Sequence, residues 1–350
     1  MKEKAIVFGV GSYFRRYEQE LKKDYEIVAY ADNYKYGQFH NDGIEIIMPD
    51  QIKKYEGRYH NLIIMLEKVA LNMEVAKWLV LSKFISASKI KIGLVQYDFH
   101  NEINIEVLAD GRWDIQFSNV SIIVCSEMEF WDLYSMYYED NYFHKLNNSR
   151  KDIVIDIGMN IGDSAIYYLS KPDTEKVYGF EPFLHTFLQA KENLERNHFT
   201  AEQYEIFQYG LSDHDEKKNI FYHPEISIML STDNKFSALE RCDYENTHSC
   251  TLVNTEEEIE IRKASNVISK IIKRHPNNNI VLKIDCEGEE YAILKDLDAQ
   301  GILKKVSYIT LEWHYGGKEE IECYFDRNGF SYCGRIIRKN LGQMIAWKQN

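Results

Sequence analysis

The chain has 350 residues and is 45% hydrophobic, so it is long enough for two domains with cores of their own. Its 42 lysines and arginines against 55 aspartates and glutamates give a net charge of −13, which argues against a general nucleic-acid-binding protein. The six cysteines form no CxxC pair and no zinc spacing. No apolar stretch is long enough for a membrane span and no signal-peptide pattern is present, so we expect a soluble cytoplasmic protein.

Residues 1–92 alternate between short apolar runs and charged amphipathic segments. The runs that predict buried strands are "KAIVFGV", "YEIVAYADN" and "YHNLIIML", and those that predict helices are "YFRRYEQELKKD" and "EVAKWLVLSKF". A loop and short strand lie between them, and Pro49 and Asp50 begin a further helix. This alternation predicts a small α/β domain with a parallel sheet and helices on both faces.

The turn after the first strand, "VFGVGSYFRR", partly matches the dinucleotide-binding pattern, with a phenylalanine in place of the third glycine. Two arginines at the helix start would accept phosphate, and an acid after the second strand could bind a ribose. The residues concerned are Gly9, Gly11, Phe14, Arg15, Arg16 and Asp32. The domain resembles small Rossmann-like domains of bacterial sugar-modifying enzymes, which implies a UDP-sugar or sugar-phosphate site. A degenerate domain used for packing or dimerisation is the favoured alternative.

The segment 93–150 has a different pattern and is interpreted as a linker or cap. Period-two alternation around Asp110 and Gly111 predicts a β-hairpin. "SEMEFWDLYSMYYEDNYF" predicts an aromatic-rich helix capped by Ser126, with Glu129 three residues later. This helix could cover an acceptor pocket, because sugars stack on aromatic rings, but an aromatic stripe at helical spacing is more often core.

From residue 151 to 350 the strand–helix alternation resumes and predicts a second, larger α/β domain. The predicted strands include "IVIDIG", "KVYGFEP", "YEIFQYGLSD", "NIVLKIDCEG" and "VSYITLEWHY". The polar region 213–258 is expected to hold loops and short strands. "FSYCGRIIRKNLGQMIAWK" predicts a terminal hairpin.

The glycine loop "IVIDIGMNIGDS" has an unusual charge for a nucleotide site. Only its first glycine fits the dinucleotide pattern, and Asp156 and Asp163 flank the turn, where they would repel phosphate. The electrostatics favour a ligand that is cationic near this loop and carries no phosphate, which describes S-adenosylmethionine. Glu181, at the tip of the next strand, would accept the ribose hydroxyls. A glycine turn with two chance acids in a non-binding domain is the alternative.

Four blocks, "IVIDIGMNIGDSAIYYLS", "KVYGFEPFLHTFLQAKENLERN", "YGLSD" and "VLKIDCEGEEYAIL", resemble the FkbM-type class I methyltransferases over residues 130–335. The resemblance implies a Rossmann-like seven-stranded sheet with an antiparallel last strand, and methyl transfer most often to a hydroxyl of a sugar or natural product. Met159 stands where small residues are common and would change the loop packing. The cofactor-binding residues implied are Asp156, Gly158, Asn160, Gly162, Glu181, Ser212 and Asp213.

Two adjacent strand ends carry the residues suited to the chemistry. "KIDCEG" and "EWH" would meet at the carboxyl edge of a parallel sheet, where open α/β sheets bind ligands. We expect Asp285 and His314 to be the general-base candidates, with Lys283, Glu287 and Glu312 shaping the site. Alternatively, Asp285, Glu287 and His314 would hold a divalent metal ion. In a purely structural reading, Lys283 pairs with Asp285 and Glu287 begins a helix.

The sequence therefore predicts a methyltransferase that uses S-adenosylmethionine to O-methylate a sugar hydroxyl in surface-polysaccharide synthesis. Its expected partner is a saccharide or nucleotide-sugar substrate, with no nucleic acid and no membrane span, and a homodimer is possible. One alternative is an NAD-dependent sugar-modifying enzyme, disfavoured by Phe14 and by the lack of a Tyr-x-x-x-Lys pair. Another is a non-catalytic scaffold of two Rossmann-like units.

Overall fold

The computed structural model describes residues 2–117, 119–139, 149–248 and 255–348. The chain divides into two compact units, residues 1–130 and residues 131–350. The predicted domain boundaries at 92 and 150 remain predictions. No helix in the described ranges combines the length and the apolar character that crossing a membrane requires.

The first unit begins with a six-stranded sheet in the order β3-β4-β2-β1-β5-β6, parallel except for the β3–β4 pair. Its elements are β1 (Glu3–Phe8), α1 (Ser12–Asp24), β2 (Tyr25–Ala31), β3 (Gln38–Phe39), β4 (Glu45–Ile47), β5 (Asn61–Ile64), α2 (Val69–Leu81), β6 (Ile90–Ile92) and α3 (Gly93–Tyr97). The predicted strand–helix alternation is confirmed, although Pro49–Tyr55 forms a 3-10 helix.

A three-stranded antiparallel sheet follows in the same unit. It consists of β7 (Asn104–Val107), β8 (Trp113–Phe117) and β9 (Val120–Val124), so the predicted hairpin is confirmed and extended by one strand. The helix α4 (Glu127–Glu139) begins at the predicted cap: Glu129 N–H donates to Ser126 Oγ, and Cys125 N–H donates to Glu129 Oε2. Residues 140–143 of the predicted aromatic segment lie outside the described residues.

The second unit contains a seven-stranded sheet in the order β12-β11-β10-β16-β17-β19-β18, with β19 antiparallel to both of its neighbours. The elements are β10 (Asp152–Ile157), α5 (Asp163–Leu169), β11 (Thr174–Phe180), α6 (Leu184–Arg196), β12 (Tyr204–Phe207), β13 (Gly210–Ser212), β14 (Glu216–Tyr222), α7 (Asn234–His248), β15 (Thr255–Lys263), α8 (Ala264–Arg274), β16 (Asn279–Ile284), α9 (Glu290–Ala299), β17 (Tyr308–His314), α10 (Glu319–Arg327), β18 (Ser331–Arg338) and β19 (Leu341–Trp347).

The central strands have two different faces. Ile155 and Leu282 belong to a core cluster that includes Ile268 of α8, Ile293 of α9 and Phe325 of α10. The opposite face carries polar groups, because the cross-strand register pairs Asp156 with Lys283 and Lys283 with Thr310. This alternation brings charged side chains to one face of an otherwise apolar sheet.

Two predictions for this unit are wrong. "YEIFQYGLSD" is not one strand: β12 belongs to the large sheet, whereas β13 pairs with β15 in a separate three-stranded sheet with β14. The polar region 213–258 holds the fifteen-residue helix α7 as well as strands and loops. The terminal hairpin β18–β19 is confirmed.

Candidate active site

The glycine loop between β10 and α5 is held in an unusual backbone conformation. Gly158, Asn160 and Gly162 all have positive φ angles, of 77°, 47° and 83°. A Cβ on Gly158 would lie 1.8 Å from the carbonyl oxygen of Asp285, so the loop touches the chain that follows β16. Met159 is fully buried, and its sulfur occupies the space beside Gly179, which explains how the loop accommodates a large residue.

Asp156 is fully buried below this loop and has partners within the protein. Its Oδ2 accepts a hydrogen bond of 2.7 Å from Ser164 Oγ, and its Oδ1 lies 3.4 Å from Lys283 Nζ. Burial raises the pKa of the Asp156 carboxyl, and Lys283 opposes that shift. Lys283 Nζ also donates to the carbonyl oxygen of Gly158. A cation from the protein therefore already neutralises the acid that, from the sequence, was expected to attract a cationic ligand.

Glu181 lies at the end of β11, where a ribose acid is predicted. Its Oε1 accepts the backbone N–H of Phe183 at 3.0 Å, and the backbone N–H of Asn160 also donates to it. Burial raises the pKa of Glu181 to about 7. The buried Oδ1 of Asn160 has no hydrogen-bond partner among the described residues. This orphaned acceptor and the Glu181 carboxylate fit the ammonium and the ribose of S-adenosylmethionine.

The other two predicted cofactor residues lie on β13 and in the turn after it. Ser212 is buried, and its Oγ donates to Glu289 Oε2 at 2.5 Å. Thr232 Oγ1 donates to the second oxygen of the same carboxylate at 2.8 Å. Asp213 is partly exposed and pairs with His214 at 2.7 Å. Contact of Ser212 and Asp213 with adenine remains a prediction.

The ends of β16 and β17 bring together the predicted catalytic residues. Lys283 Nζ lies 3.7 Å from Asp285 Oδ2. His314 Nε2 lies 3.4 Å from Glu287 Oε1 and 3.4 Å from Glu312 Oε1. The strand-end argument therefore correctly brought these five side chains together at one edge of the sheet, and their catalytic roles remain predictions.

Glu290 is a member of this site that the sequence analysis missed. It is fully buried at the first position of α9, where it accepts the N–H of Gly288 and contacts His314 Nδ1 at 3.0 Å. The helix therefore begins at Glu290 and not at Glu287, whose φ of 53° places it in the preceding loop. The "EGEE" segment signals an acidic helix start, but only the fold shows which acid reaches the histidine.

Carboxylates surround His314 on three sides. Burial lowers the pKa of His314, but Glu287, Glu290 and Glu312 outweigh burial and raise it well above its usual range. Burial, reinforced by Asp285, also raises the pKa of Glu287 to about 8, although His314 opposes this. An imidazolium cannot accept a proton, so the electrostatics favour Asp285 over His314 as the base.

Two further acids approach the same site. Asp163, buried at the start of α5, has its pKa raised by burial. Asp132 of α4 interacts electrostatically with Asp163, Asp285 and Glu312, and burial raises its pKa well above the usual range. In the same helix, the ring of Tyr137 packs edge-on against Tyr167 at 5.8 Å. The aromatic helix thus brings close to these acids a carboxyl group that its sequence pattern did not single out.

The donor atoms of Asp285, Glu287 and His314 all lie within 4.8 Å of one another. A second cluster of this kind, Glu18, His40 and Asp42, occurs in the first unit. There the ammonium of Lys22 lies 2.6 Å from both carboxylates, so a side-chain cation neutralises that cluster.

In the glycine turn of the first unit, the backbone N–H and carbonyl groups of Val10 already form hydrogen bonds. Asp32 Oδ2 accepts the N–H of Val10 at 3.1 Å, and Lys35 Nζ donates to the Val10 carbonyl at 3.0 Å. Phe14, in place of the third glycine, is fully buried, and Arg16 pairs with Glu67. Asp32, the acid predicted to bind a ribose, therefore stabilises the glycine turn through a hydrogen bond.

The second unit has the architecture of class I methyltransferases: a parallel α/β sheet closed by an antiparallel hairpin, with acids at the tips of its first two strands. The profile of the "Methyltransferase FkbM domain" family matches residues 156–338, and that of the "C2185-like, N-terminal" family matches residues 1–91. The chain belongs to the FkbM methyltransferase family and is an S-adenosylmethionine-dependent methyltransferase.

Two relatives show how far the similarity extends. The AMB antimetabolite synthetase AmbE of Pseudomonas aeruginosa is 27% identical over an alignment of 183 residues, and the match covers 46% of this chain and 8% of that protein. Methyltransferase sdnD of Sordaria araneosa is 22% identical over an alignment of 228 residues, and the match covers 62% of this chain and 88% of that protein. This chain therefore corresponds to only a small part of the length of AmbE.

Among solved structures, the methyltransferase FkbM of Methylobacillus flagellatus is 12% identical, with a TM-score of 0.38, and the match covers 99% of this chain and 90% of that one. A putative tRNA (m1A22) methyltransferase of Streptococcus pneumoniae, solved with S-adenosylmethionine, is 11% identical with a TM-score of 0.33. That match covers 58% of this chain and 69% of the other.

Proposed function

We propose that the protein transfers a methyl group to a hydroxyl oxygen of a saccharide or nucleotide sugar in the cytoplasmic synthesis of a surface polysaccharide. The observation that carries this proposal is the carboxylate-rich cluster at the ends of β16 and β17, beside the glycine loop. Carboxylates accept hydrogen bonds from hydroxyl groups, and sugars offer several in a small volume. An alcohol also needs a base, which this cluster supplies.

The glycine loop and the end of β11 are proposed to hold S-adenosylmethionine. Asn160 and the backbone at Gly158 and Gly162 would contact the methionine portion, and Glu181 would accept the ribose hydroxyls. Asp156 would act through Ser164 and Lys283, because both of its oxygens face those partners. Ser212 and Asp213 are proposed to lie near adenine.

In the proposed reaction, the acceptor oxygen forms a bond to the methyl carbon while the carbon–sulfur bond breaks. S-adenosylmethionine supplies an electrophilic methyl group, and its sulfur keeps the electron pair of the broken bond. Asp285 takes the hydroxyl proton, and Lys283 Nζ, 3.7 Å from its Oδ2, helps to hold it in position. His314, held between Glu287, Glu290 and Glu312, orients the acceptor through its protonated ring. Alignment of the two reacting atoms supplies much of the rate.

The test is methyl transfer from radiolabelled S-adenosylmethionine to a panel of nucleotide sugars and oligosaccharides. Label is expected in at least one saccharide, and Asp285→Asn is expected to lower kcat by about 10²- to 10⁴-fold with little change in cofactor affinity. Asp243→Asn, on the exposed side of α7, is the matched control. Transfer to amines or carboxylates alone would contradict the proposal.

Cofactor binding is tested separately by calorimetry. The wild-type protein is expected to release or take up heat with S-adenosylmethionine, and the double variant Asp156→Ala plus Glu181→Ala is expected to lose that signal. Full binding by the double variant would show that these acids do not hold the cofactor.

A divalent metal ion is the second candidate for the acid–base role, and the close approach of Asp285, Glu287 and His314 favours it. Two carboxylates and one imidazole suit Mn²⁺ or Fe²⁺, and the ion would lower the pKa of a bound hydroxyl. Dialysis against EDTA would then abolish transfer and Mn²⁺ would restore it. Full activity after dialysis would leave Asp285 as the base.

A further inference from the structure

A groove of about 300 Å³ lies beside α8, at the β12 edge of the large sheet. One wall is α8 itself, and the other is formed by residues between β12 and β14 together with the end of β15. Its lining falls within the described residues and includes none of the proposed cofactor-binding or catalytic residues. In the sheet, β11 and β10 lie between β12 and β16. The groove is therefore separate from the strand-end cluster.

The α8 wall carries polar side chains at a spacing of four residues. Asn266, Lys270 and Arg274 all line the groove, because residues four apart lie on the same side of a helix. At 1.5 Å per residue, this row is about 12 Å long. The segment "ASNVISKIIKR" thus gives α8 a polar row beside the apolar side from which Ile268 enters the core.

The bottom of the groove is apolar. Phe207 and Val267 pack against the core cluster but are only partly buried, and both line the groove. Phe207 is held by stacking on Phe180, with ring centroids 5.1 Å apart and ring planes at 14°. Apolar and aromatic surface with a few polar groups around it is the usual composition of a small-molecule site, and about 300 Å³ is within the usual size range.

The groove is cationic in a chain whose net charge is −13, because it is lined by three basic side chains and one carboxylate. Arg262 Nε donates to Glu260 Oε1 at 2.6 Å, and its guanidinium carbon lies 3.9 Å from the centroid of the Tyr209 ring. Arg274 Nη1 lies 3.5 Å from a carboxylate oxygen of β12. Lys270 differs from both, because its ammonium has no hydrogen bond or ion pair with any other described residue. An uncompensated positive charge therefore lies halfway along the α8 wall.

Two further polar groups line the groove near the start of α8. Asp215 Oδ1 accepts the backbone N–H of Lys263 at 2.7 Å, which holds this carboxylate beside the end of β15. Asn266 lies in the first turn of α8. A carboxylate accepts hydrogen bonds from hydroxyl groups, and an amide can both donate and accept. A ligand in the groove would thus meet hydrogen-bonding groups at one end and a cation one helical turn away.

We propose that this groove binds a nucleoside phosphate at a site separate from that of S-adenosylmethionine. The phosphate lies at Lys270, which suits it as a compact charge with three donors. The base packs on Phe207 and Val267, and Asp215 accepts the ribose hydroxyls. This combination of an apolar surface, a carboxylate and an unpaired ammonium requires a ligand that has all three matching parts.

The test is calorimetric titration of the full-length protein with UMP, AMP, uridine, adenosine and inorganic phosphate. At least one nucleotide is expected to bind at least about tenfold more tightly than its nucleoside and than phosphate. Lys270→Gln is expected to remove the advantage of the nucleotide over the nucleoside, and Lys270→Arg to keep most of it. Lys273→Gln, on the same helix but outside the groove, is the matched control and is expected to bind as wild type.

Three results would contradict the proposal: no binding of either nucleotide at about 1 mM, phosphate binding as tightly as the nucleotides, or Lys270→Gln binding them as wild type does. Repeating the titration with excess S-adenosylmethionine separates the two sites. Unchanged affinity is expected, whereas loss of nucleotide binding would place the nucleotide in the cofactor site and overturn the proposal. Because the measurement requires no turnover, it is independent of whether a saccharide is methylated.

Discussion

At the scale of single residues, Gly158 shows how closely the glycine loop between β10 and α5 packs against the chain that follows β16. Gly158→Ala would place a methyl group 1.8 Å from the Asp285 carbonyl and would also strain a φ of 77°. We expect a loss of about 3 kcal/mol or more in the free energy of unfolding, together with loss of cofactor binding. Urea denaturation and calorimetry measure the two effects.

Gly301 is the matched control for this prediction. It also has a positive φ, of 66°, but apart from its chain neighbours no heavy atom of the described residues lies within 4 Å of its ideal Cβ position. Gly301→Ala should therefore cost only about 1 kcal/mol, the conformational penalty alone. Equal costs at the two positions would mean that contact with Asp285 does not constrain the loop.

The ionisation of Glu181 should appear in the pH dependence of cofactor binding. Burial raises its pKa to about 7, so its contribution to folding stability is complete below the unfolded pKa of about 4.5 and is lost as the pH rises through 7. The ionised form accepts ribose hydroxyls better. Affinity for S-adenosylmethionine should therefore rise by up to about tenfold between about pH 6 and pH 8. Calorimetry at several pH values measures this, and Glu181→Gln should give a flat profile.

Sequence reasoning found the charged residues at strand ends but not the partners that hold them. Asp285 and His314 could be predicted because parallel strands end at one edge of a sheet. Gln343 could not, because its contact with Glu312 depends on the register of a hairpin that returns to β17 from 31 residues away. Contacts of this kind leave no local pattern.

At the scale of elements, the first residue of α9 connects the loop that follows β16 to His314. Glu290 accepts backbone N–H groups of Cys286 and Gly288 while contacting His314. Glu290→Gln keeps the size but removes the charge, and we expect a loss of about 1–3 kcal/mol in unfolding free energy. Urea denaturation measures it. Glu319→Gln, an exposed acid in the first turn of α10, should cost less than about 0.5 kcal/mol.

The elements that the sequence predicted well have strong periodic patterns, and those that it missed do not. The strands β10 and β16 are buried at every position, and four of the six residues in each are isoleucine, valine or leucine. By contrast, α7 lies in a polar region, and Leu239 within it is half exposed. The division between β12 and β13 depends on which sheet each strand joins, which is a tertiary choice that local sequence does not encode.

At the scale of the whole molecule, the two glycine turns of the chain differ in what they can bind. Val10 N–H is already bonded to Asp32, and a buried phenylalanine replaces the third glycine. We therefore expect no enhancement of NADH fluorescence by the wild-type protein, whereas S-adenosylmethionine gives a calorimetric signal. Enhancement that Asp32→Ala abolishes would instead support the NAD-dependent alternative for the first unit.

The position of β19 has a consequence for how the second unit folds. It follows β18 in the chain but lies between β17 and β18 in the sheet, so β17 has no permanent neighbour on that side until residues 341–347 are inserted. Until then β17 presents an open edge on which other chains can pair. His314 and Glu312 pair with Leu341 and Gln343 of the inserted strand. Pairing of β19 thus completes the surroundings of Glu312 and His314, and a chain in which β19 has not yet paired would lack part of the proposed acceptor site.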